Sequence, residues 1–341
     1  MQLARFARRR FCHLPTPLEP LPRLSTELGG PQLVVKRDDL TGLAFGGNKT
    51  RKLEFLLGEA LVAGADTLVT AGGVQSNHCR QTAAAAARHG LQCALVLQRR
   101  VLSNQPDYER GGNVLLDRLA GAALHLVERG ADTTLELERV AEEVRGSGRR
   151  PFVIPIGGST PVGALGYVSA GLELLAQAEA LGRPVDAIVH ASGSGGTQAG
   201  LLVAAQMLAA GVRVIGISVS EPKAALEQTV ADLAERTARL LGTAAPPRAS
   251  VEVLDDYIGA DYGQPTAGMR AALHLCATLE GLYLDPVYSG KAMAGLIDLV
   301  RRGGFAPDQT VAFVHTGGTP ALFAYSDDLA GGIAARSLCD R

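Results

Sequence analysis

Residues 45 to 54 read FGGNKTRKLE: two glycines and an asparagine, then Lys49, Arg51 and Lys52, with no acid before Glu54. A lysine placed behind a glycine turn, where an apolar-periodic stretch begins, is either a solvated helix end or an amine delivered to a site. Three other regions could do chemistry with it. ASGSGGTQAG (191–200) combines glycines that let backbone amides approach an anion with the hydroxyls of Ser192, Ser194 and Thr197 at a helix start, which together make a phosphate cradle. Gln198 stands where a dinucleotide fingerprint needs its last glycine, and no Walker lysine follows, so a dinucleotide or triphosphate is disfavoured.

AGGVQSNHCRQT (71–82) places Ser76 or Asn77 as a helix cap, and the same amides and hydroxyls suit a substrate carboxylate. Ser76 with His78 makes a poor nucleophile pair, because no acid nearby in sequence would orient the imidazole. The third region joins DPVYSGKAMAG (285–295) to VHTGGTPALFAY (314–325). Taken alone, Tyr288 reads as packing, the HTGG stretch as a turn and Lys291 as a solvated helix residue.

These stretches need elements to hold them. The apolar stripe after Lys49 (Leu53, Leu56, Leu57, Ala60, Leu61) predicts an amphipathic helix. Strands are predicted over 66–73, 91–97, 122–128 and 152–156, with helices over 77–89, 110–119 and 132–145 between them. The second half predicts helices over 163–181 and from Thr197, strands over 186–192 and 213–220, helices over 223–241, 267–280 and 290–302, and a strand over 310–316. Strand–helix alternation with short connections implies parallel sheet covered by helices, and ligands in such sheets bind outside the carboxyl ends of the strands. All three regions fall there. The last eleven residues, GGIAARSLCDR, read as a loosely attached tail.

The 341 residues suit two domains. Lysine plus arginine number 33 against 34 acids, a net charge of −1, which argues against a nucleic-acid surface. No apolar run approaches the roughly twenty residues of a membrane span. The basic N-terminus lacks the apolar segment of a signal peptide and reads as mature protein. Five cysteines with no Cys-x-x-Cys spacing point to a reducing compartment, by default the cytoplasm, and scattered histidines give metal chemistry no support.

One chemistry uses all the pieces. A lysine at a helix start, a separate phosphate cradle and a carboxylate site suit pyridoxal phosphate, the lysine forming the Schiff base. The helix dipole and the neighbouring Arg51 and Lys52 are expected to lower the Lys49 pKa.

Taken in order, FGGNKTRKLE, GGVQSNH, SGSGGTQAG, DPVYSGKAMAG and HTGG resemble the fold type II (tryptophan synthase β-like) pyridoxal phosphate enzymes. Within them the chain is similar to the branch of D-cysteine desulfhydrase, aminocyclopropane-carboxylate deaminase and L-cysteate sulfo-lyase. The resemblance runs from TPLEPLPRLS at 16 to ALFAY at 325.

It implies a two-domain α/β fold, each domain a mostly parallel open sheet flanked by helices. Residues 1–50 and 159–341 would form the large cofactor domain, and 51–158 a smaller one that closes over substrate. It implies that Lys49 carries the cofactor, Asn77 bonds its ring hydroxyl, and Ser192, Gly193, Ser194, Gly195, Gly196 and Thr197 hold its phosphate. Thr316 would meet the pyridine nitrogen. Ser76, Asn77 and His78 would receive the substrate carboxylate. Tyr288, with Tyr262 and Ser289, would face the substrate. A homodimer acting on a small amino acid is implied as well.

The deaminases carry a glutamate after the tyrosine matching Tyr288 and a leucine at the position of Thr316. This chain has Ser289 and Thr316, hydroxyls at both places, as the desulfhydrase and the sulfo-lyase do. D-cysteine desulfhydrase is the reading favoured, with L-cysteate sulfo-lyase as its alternative. From other classes stand a nucleotide-dependent enzyme, for which Glu221 is a poor ribose-binding acid, and a non-catalytic amino-acid-binding protein, which would need no lysine.

Overall fold

The computed structural model describes residues 2–101 and 107–330. Among them, ten strands form two sheets. The first strands are β1 (Leu18–Pro20) and β2 (Gln32–Lys36), separated by helix α1 (Pro22–Leu28). After α2 (Asn48–Val62) the chain builds β3 (Thr67–Gly73), α3 (Asn77–Arg88), β4 (Gln92–Gln98), α4 (Gly112–Leu119), β5 (Ala123–Val127), α5 (Thr133–Gly146) and β6 (Pro151–Ile154). Helix α6 (Pro161–Ala180) leads back to β7 (Ala187–Ser192), α7 (Gly196–Leu208), β8 (Arg213–Ser218), α8 (Lys223–Leu241) and β9 (Val251–Leu254). Helices α9 (Ala267–Glu280) and α10 (Ser289–Arg301), strand β10 (Thr310–Val314) and α11 (Ser326–Ala330) follow.

The six-stranded sheet runs β1-β2-β10-β7-β8-β9 and the four-stranded sheet β5-β4-β3-β6. Every pairing is parallel except β1 with β2. Strands buried on both faces read as continuous apolar or small-residue runs, and β3, β7 and β10 are buried at every residue. Strand order reverses at β7, flanked by β10 and β8, and at β3, flanked by β6 and β4. A reversal opens a crevice beyond the strand ends, since the following connections depart in opposite directions. The crevices of the two sheets meet at one cavity, walled by residues that follow β3, β6, β7 and β10.

The predicted alternation corresponds to the observed elements, α8 residue for residue, and α9 falls where a helix near 267–280 is expected. Strands β1, β2 and β9 fall outside the predicted set. The C-terminal stretch read as a tail lies outside the described residues. Among the described residues no helix is long and apolar enough to cross a membrane.

Candidate active site

The chain approaches Lys49 through four successive positive-φ residues, Ala44 (48°), Phe45 (64°), Gly46 (66°) and Gly47 (129°). Left-handed backbone costs a non-glycine residue about 1–2 kcal/mol, so Ala44 and Phe45 hold local strain. A Cβ at Gly46 would stand 1.9 Å from the Asp39 carbonyl oxygen, so that turn requires glycine. Two bonds fix the next residue. The Asn48 amide donates to the Thr316 carbonyl (3.0 Å), and Asn48 Nδ2 donates to Thr197 Oγ1 (3.1 Å). The lysine turn, the end of β10 and the start of α7 therefore meet.

Lys49, Ser76, Asn77, His78, Tyr262, Tyr288, Thr316 and the whole run from Ser192 to Thr197 line the cavity. Lys49 is half-buried, its Nζ without a hydrogen-bond partner among the described residues. Burial lowers its pKa from 10.5 to about 8, opposed by the carboxylate of Asp285. The expected influence of Arg51 is not what lowers it. Arg51 points away from the cavity into a buried cluster, pairing with Asp38 (2.8 Å) and Glu173 (2.9 Å), with Tyr167 also bonded to Asp38. Neighbours on a helix project about 100° apart, so Lys49 and Arg51, two residues apart, serve opposite faces. Lys52, nearly one helical turn from Lys49, does share its cavity. Its Nζ donates to the Gly157 carbonyl (3.1 Å) and Ser159 Oγ (3.3 Å), and burial with the Lys49 charge holds its pKa well below the ordinary value.

The glycine loop after β7 closes against this amine. A Cβ at Gly196 would lie 2.6 Å from Ser159 Oγ and 2.8 Å from Lys52 Nζ, so only bare backbone fits. Gly196 N donates to Ser159 Oγ (3.1 Å), whose hydroxyl also meets Ser194 Oγ (2.7 Å). The first-turn amides of α7 have no intrahelical acceptor; that of Gly196 goes to Ser159 Oγ, and with Lys52 Nζ beside the turn the setting favours an anion. Ser192 sits on the wall, but its hydroxyl donates inward to Gln198 Oε1 (2.9 Å). Gln198 in turn donates to the Glu252 carbonyl (2.7 Å), so the residue that breaks the dinucleotide fingerprint is a buried strut.

At the start of α3, Ser76 is the N-cap, accepting from Cys79 N (3.2 Å). Asn77 Oδ1 accepts from Asn113 Nδ2 (2.9 Å) and Arg80 Nη1 (3.4 Å), which leaves its amide nitrogen to face the cavity. Arg80 Nη2 also holds the Gly46 carbonyl (2.8 Å). The His78 ring turns to Thr70, Nε2 to Oγ1 2.9 Å, and the single hydroxyl proton of Thr70 goes to the Ile154 carbonyl (2.7 Å). Nε2 therefore carries hydrogen and Nδ1 is a lone-pair acceptor, buried without a partner among the described residues. Such a ring cannot donate to a carboxylate. What His78 offers one is its backbone N–H.

On the far wall the Tyr262 and Tyr288 hydroxyls bond to each other at 2.6 Å, and burial raises both pKa values. Asp285, fully buried, accepts from the amides of Val287, Tyr288 and Ser289 (3.0, 3.0 and 2.7 Å) and so fixes the turn that presents Tyr288. Ser289 does not reach the cavity wall. Its hydroxyl donates to Asp285 Oδ1 (2.6 Å). Lys291, read as solvated, is fully buried, with Nζ donating to the Ile258 carbonyl (2.6 Å). Its long stem crosses the core to cap a loop.

Sequence reading missed Asp285, Ser159, Asn113 and the position of Lys52 on the cavity wall. The signal for Lys52 was its spacing of three from Lys49, which puts both amines on one helix face.

The Gly193–Gly196 backbone and the amines of half-buried Lys49 and buried Lys52, on one cavity, form a donor set that fits pyridoxal phosphate, an aldehyde bearing a phosphate. The chain belongs to the pyridoxal-phosphate dependent enzyme family, whose model matches residues 10–317. Its cofactor is pyridoxal 5'-phosphate. Within that family it falls in the branch of aminocyclopropane-carboxylate deaminase and D-cysteine desulfhydrase. It is 46% identical to a D-cysteine desulfhydrase of Salmonella typhimurium, covering 95% of this chain and 97% of that protein. A D-cysteine desulfhydrase of Klebsiella pneumoniae is also 46% identical, over 96% and 98% of the two chains. A crystal structure described as an ACC deaminase homologue superposes with a TM-score of 0.88 at 40% identity, covering 96% of this chain and 97% of the other. A crystal structure of a T.th. threonine deaminase shares the fold at a TM-score of 0.63 and 24% identity, over 89% and 92% of the chains.

Proposed function

We propose that the chain is a pyridoxal 5'-phosphate-dependent carbon–sulfur lyase that converts D-cysteine to pyruvate, sulfide and ammonia. The reading rests on one arrangement. Lys49, an anion cradle and a tyrosine pair surround a single cavity, in a chain 46% identical to D-cysteine desulfhydrases over nearly its full length.

Lys49 would carry the cofactor, the 193–197 loop and Lys52 would hold its phosphate, Asn77 Nδ2 its ring oxygen and Thr316 its ring nitrogen. Bound there, the cofactor supplies an electron sink for the pair left at Cα when a proton is removed. Lys49, with a pKa of about 8, is a base suited to taking that proton near neutral pH. The Ser76 hydroxyl and the first amides of α3 receive the substrate carboxylate, as the positive end of a helix favours. Tyr288, kept protonated by burial, donates to the departing sulfur, and Tyr262 replenishes it through their hydrogen bond. The 2-aminoacrylate released takes up water to give pyruvate and ammonia.

Four cysteines without a disulfide partner among the described residues, Cys12, Cys79, Cys93 and Cys276, suit a reducing cytoplasm, and a homodimer is the assembly we propose. The test compares kcat/KM for sulfide release from D- and L-cysteine with sulfite release from L-cysteate. D-cysteine should lead, and a greater value for L-cysteate would replace it as the substrate. Lys49→Ala should lose the cofactor's visible absorption band, and a band that persists would refute the assignment of that lysine.

A further inference from the structure

The cavity wall holds a cation that the reaction above does not use. Arg100, just beyond β4, lines the cavity with Gln98 and Thr133. Its guanidinium lies over the Tyr262 ring, 4.4 Å from the centroid, and Tyr262 bonds to Tyr288 at 2.6 Å. No acid among the described residues lies within ion-pair distance of Arg100, whereas its neighbour Arg99 is paired with Glu109 (2.7 Å) and Glu128 (2.5 Å). Among the described residues the one carboxylate on the cavity wall, Glu221, follows β8 on the side of the glycine loop. Stacking on an aromatic face fixes a guanidinium while leaving its in-plane N–H groups free to donate.

We propose that Arg100, with the hydroxyls of Tyr262 and Tyr288, forms an anion subsite for the β-substituent of the substrate. This rests on the reading that Tyr288 faces that substituent. The ligands it selects are α-amino acids whose β-carbon bears an anionic group, a carboxylate, sulfinate or sulfonate. With a sulfonate the Cα proton passes to Lys49, the C–S bond breaks with its electron pair on sulfur, and sulfite leaves. With cysteine the same cation stabilises departing hydrosulfide. Arg100 thereby sets which β-substituents are accepted.

Aspartate and asparagine separate charge from shape, being nearly isosteric, and neither carries a β-substituent that leaves readily. Both enantiomers of each are titrated into the cofactor-loaded wild type, Arg100→Gln and Arg100→Lys. Binding is read from the cofactor's absorption and from competition with D-cysteine turnover. In the wild type, the preferred enantiomer of aspartate should bind about tenfold more tightly than asparagine, the scale of one charge-assisted hydrogen bond at a half-exposed site. Added salt should shrink that ratio. Arg100→Gln should bring it near one, and Arg100→Lys should keep part of it.

Equal affinities in the wild type, or an undiminished ratio in Arg100→Gln, would overturn the subsite. Failure of D-cysteine turnover with the aspartate preference intact would instead overturn the substrate reading and leave the subsite standing. Turnover of D-cysteine without the preference would do the reverse.

Discussion

Two amines share the cavity, and the chemistry assigned to Lys49 depends on burial keeping it near neutrality. In cofactor-free protein the Lys49 amine should titrate at about 8 instead of 10.5. Only the free base attacks an aldehyde, so the rate of cofactor recombination should rise with pH through about 8 and then level off. Stopped-flow absorbance measures it, and a rate still climbing toward 10.5 would contradict the burial argument. The same shift has a sign in stability. Between about 8 and 10.5 the unfolded chain binds the proton that the folded chain has lost, so folded stability rises with pH across that window. Below it the buried charge is a liability, and Lys49→Met should raise the melting temperature of the cofactor-free protein at about pH 7, by less as the pH rises toward 10.5. Tyr288 permits a second test. Removing a general acid costs about 10²–10⁴ in rate. Tyr288→Phe should lower kcat by at least about a hundredfold with the cofactor band intact, and Tyr262→Phe should cost less. Steady-state kinetics checks both.

Helix α2 serves two purposes on opposite faces. One face carries Lys49 and Lys52 to the cavity, and the other drives Arg51 into Asp38, Glu173 and Thr16, joining α2 to α6 and to the loop after β2. Arg51→Met leaves Asp38 buried without its charge partner, a change that costs about 3–5 kcal/mol. Urea unfolding should reveal it, whereas the cofactor band of protein still folded should keep its position. A small loss of stability would mean that the cluster is weaker than its geometry implies. The sequence stripe of α2 was legible because leucines recur at helical spacing, but the split of its cations was not, because Asp38 and Glu173 lie 13 and 122 residues from Arg51. Strand β2 escaped for a related reason. Its five residues end in Lys36, which reads as exposed until its bond to Glu173 (2.6 Å) is seen. The alternating edge strand β9 is only four residues long. The loops after β7 and β3 were readable because glycines, hydroxyls and caps act locally. Ser289 and Lys291 were misplaced because their partners, Asp285 and the 258–261 loop, decide where their polar ends go.

The cavity draws its wall from both halves of the molecule. Gln98, Arg100 and Thr133 belong to the four-stranded half, Tyr262 and Tyr288 to the six-stranded half. We propose that the described residues of 51–158 move as a unit against those of 1–50 and 159–330, hinged at the start of α2, which packs on both α3 and α6. Arg129, just after β5, pairs at 2.7 Å with Asp261, which precedes Tyr262, both half exposed. An exposed pair contributes about 0–1 kcal/mol, on the order of thermal energy, so it does not by itself hold the halves together. A ligand touching both walls does better, since it is desolvated only when they approach. Saturating aspartate should therefore lower the radius of gyration in solution scattering and slow amide exchange around residues 99–101 and 128–133. Arg129→Ala should change KM less than about twofold, as a weak surface pair implies. Arg100→Gln should suppress the compaction if the proposed anion subsite is the contact through which the smaller half meets the ligand. Compaction that survives Arg100→Gln but disappears with Arg129→Ala would place the closing force at the surface pair instead of in the cavity.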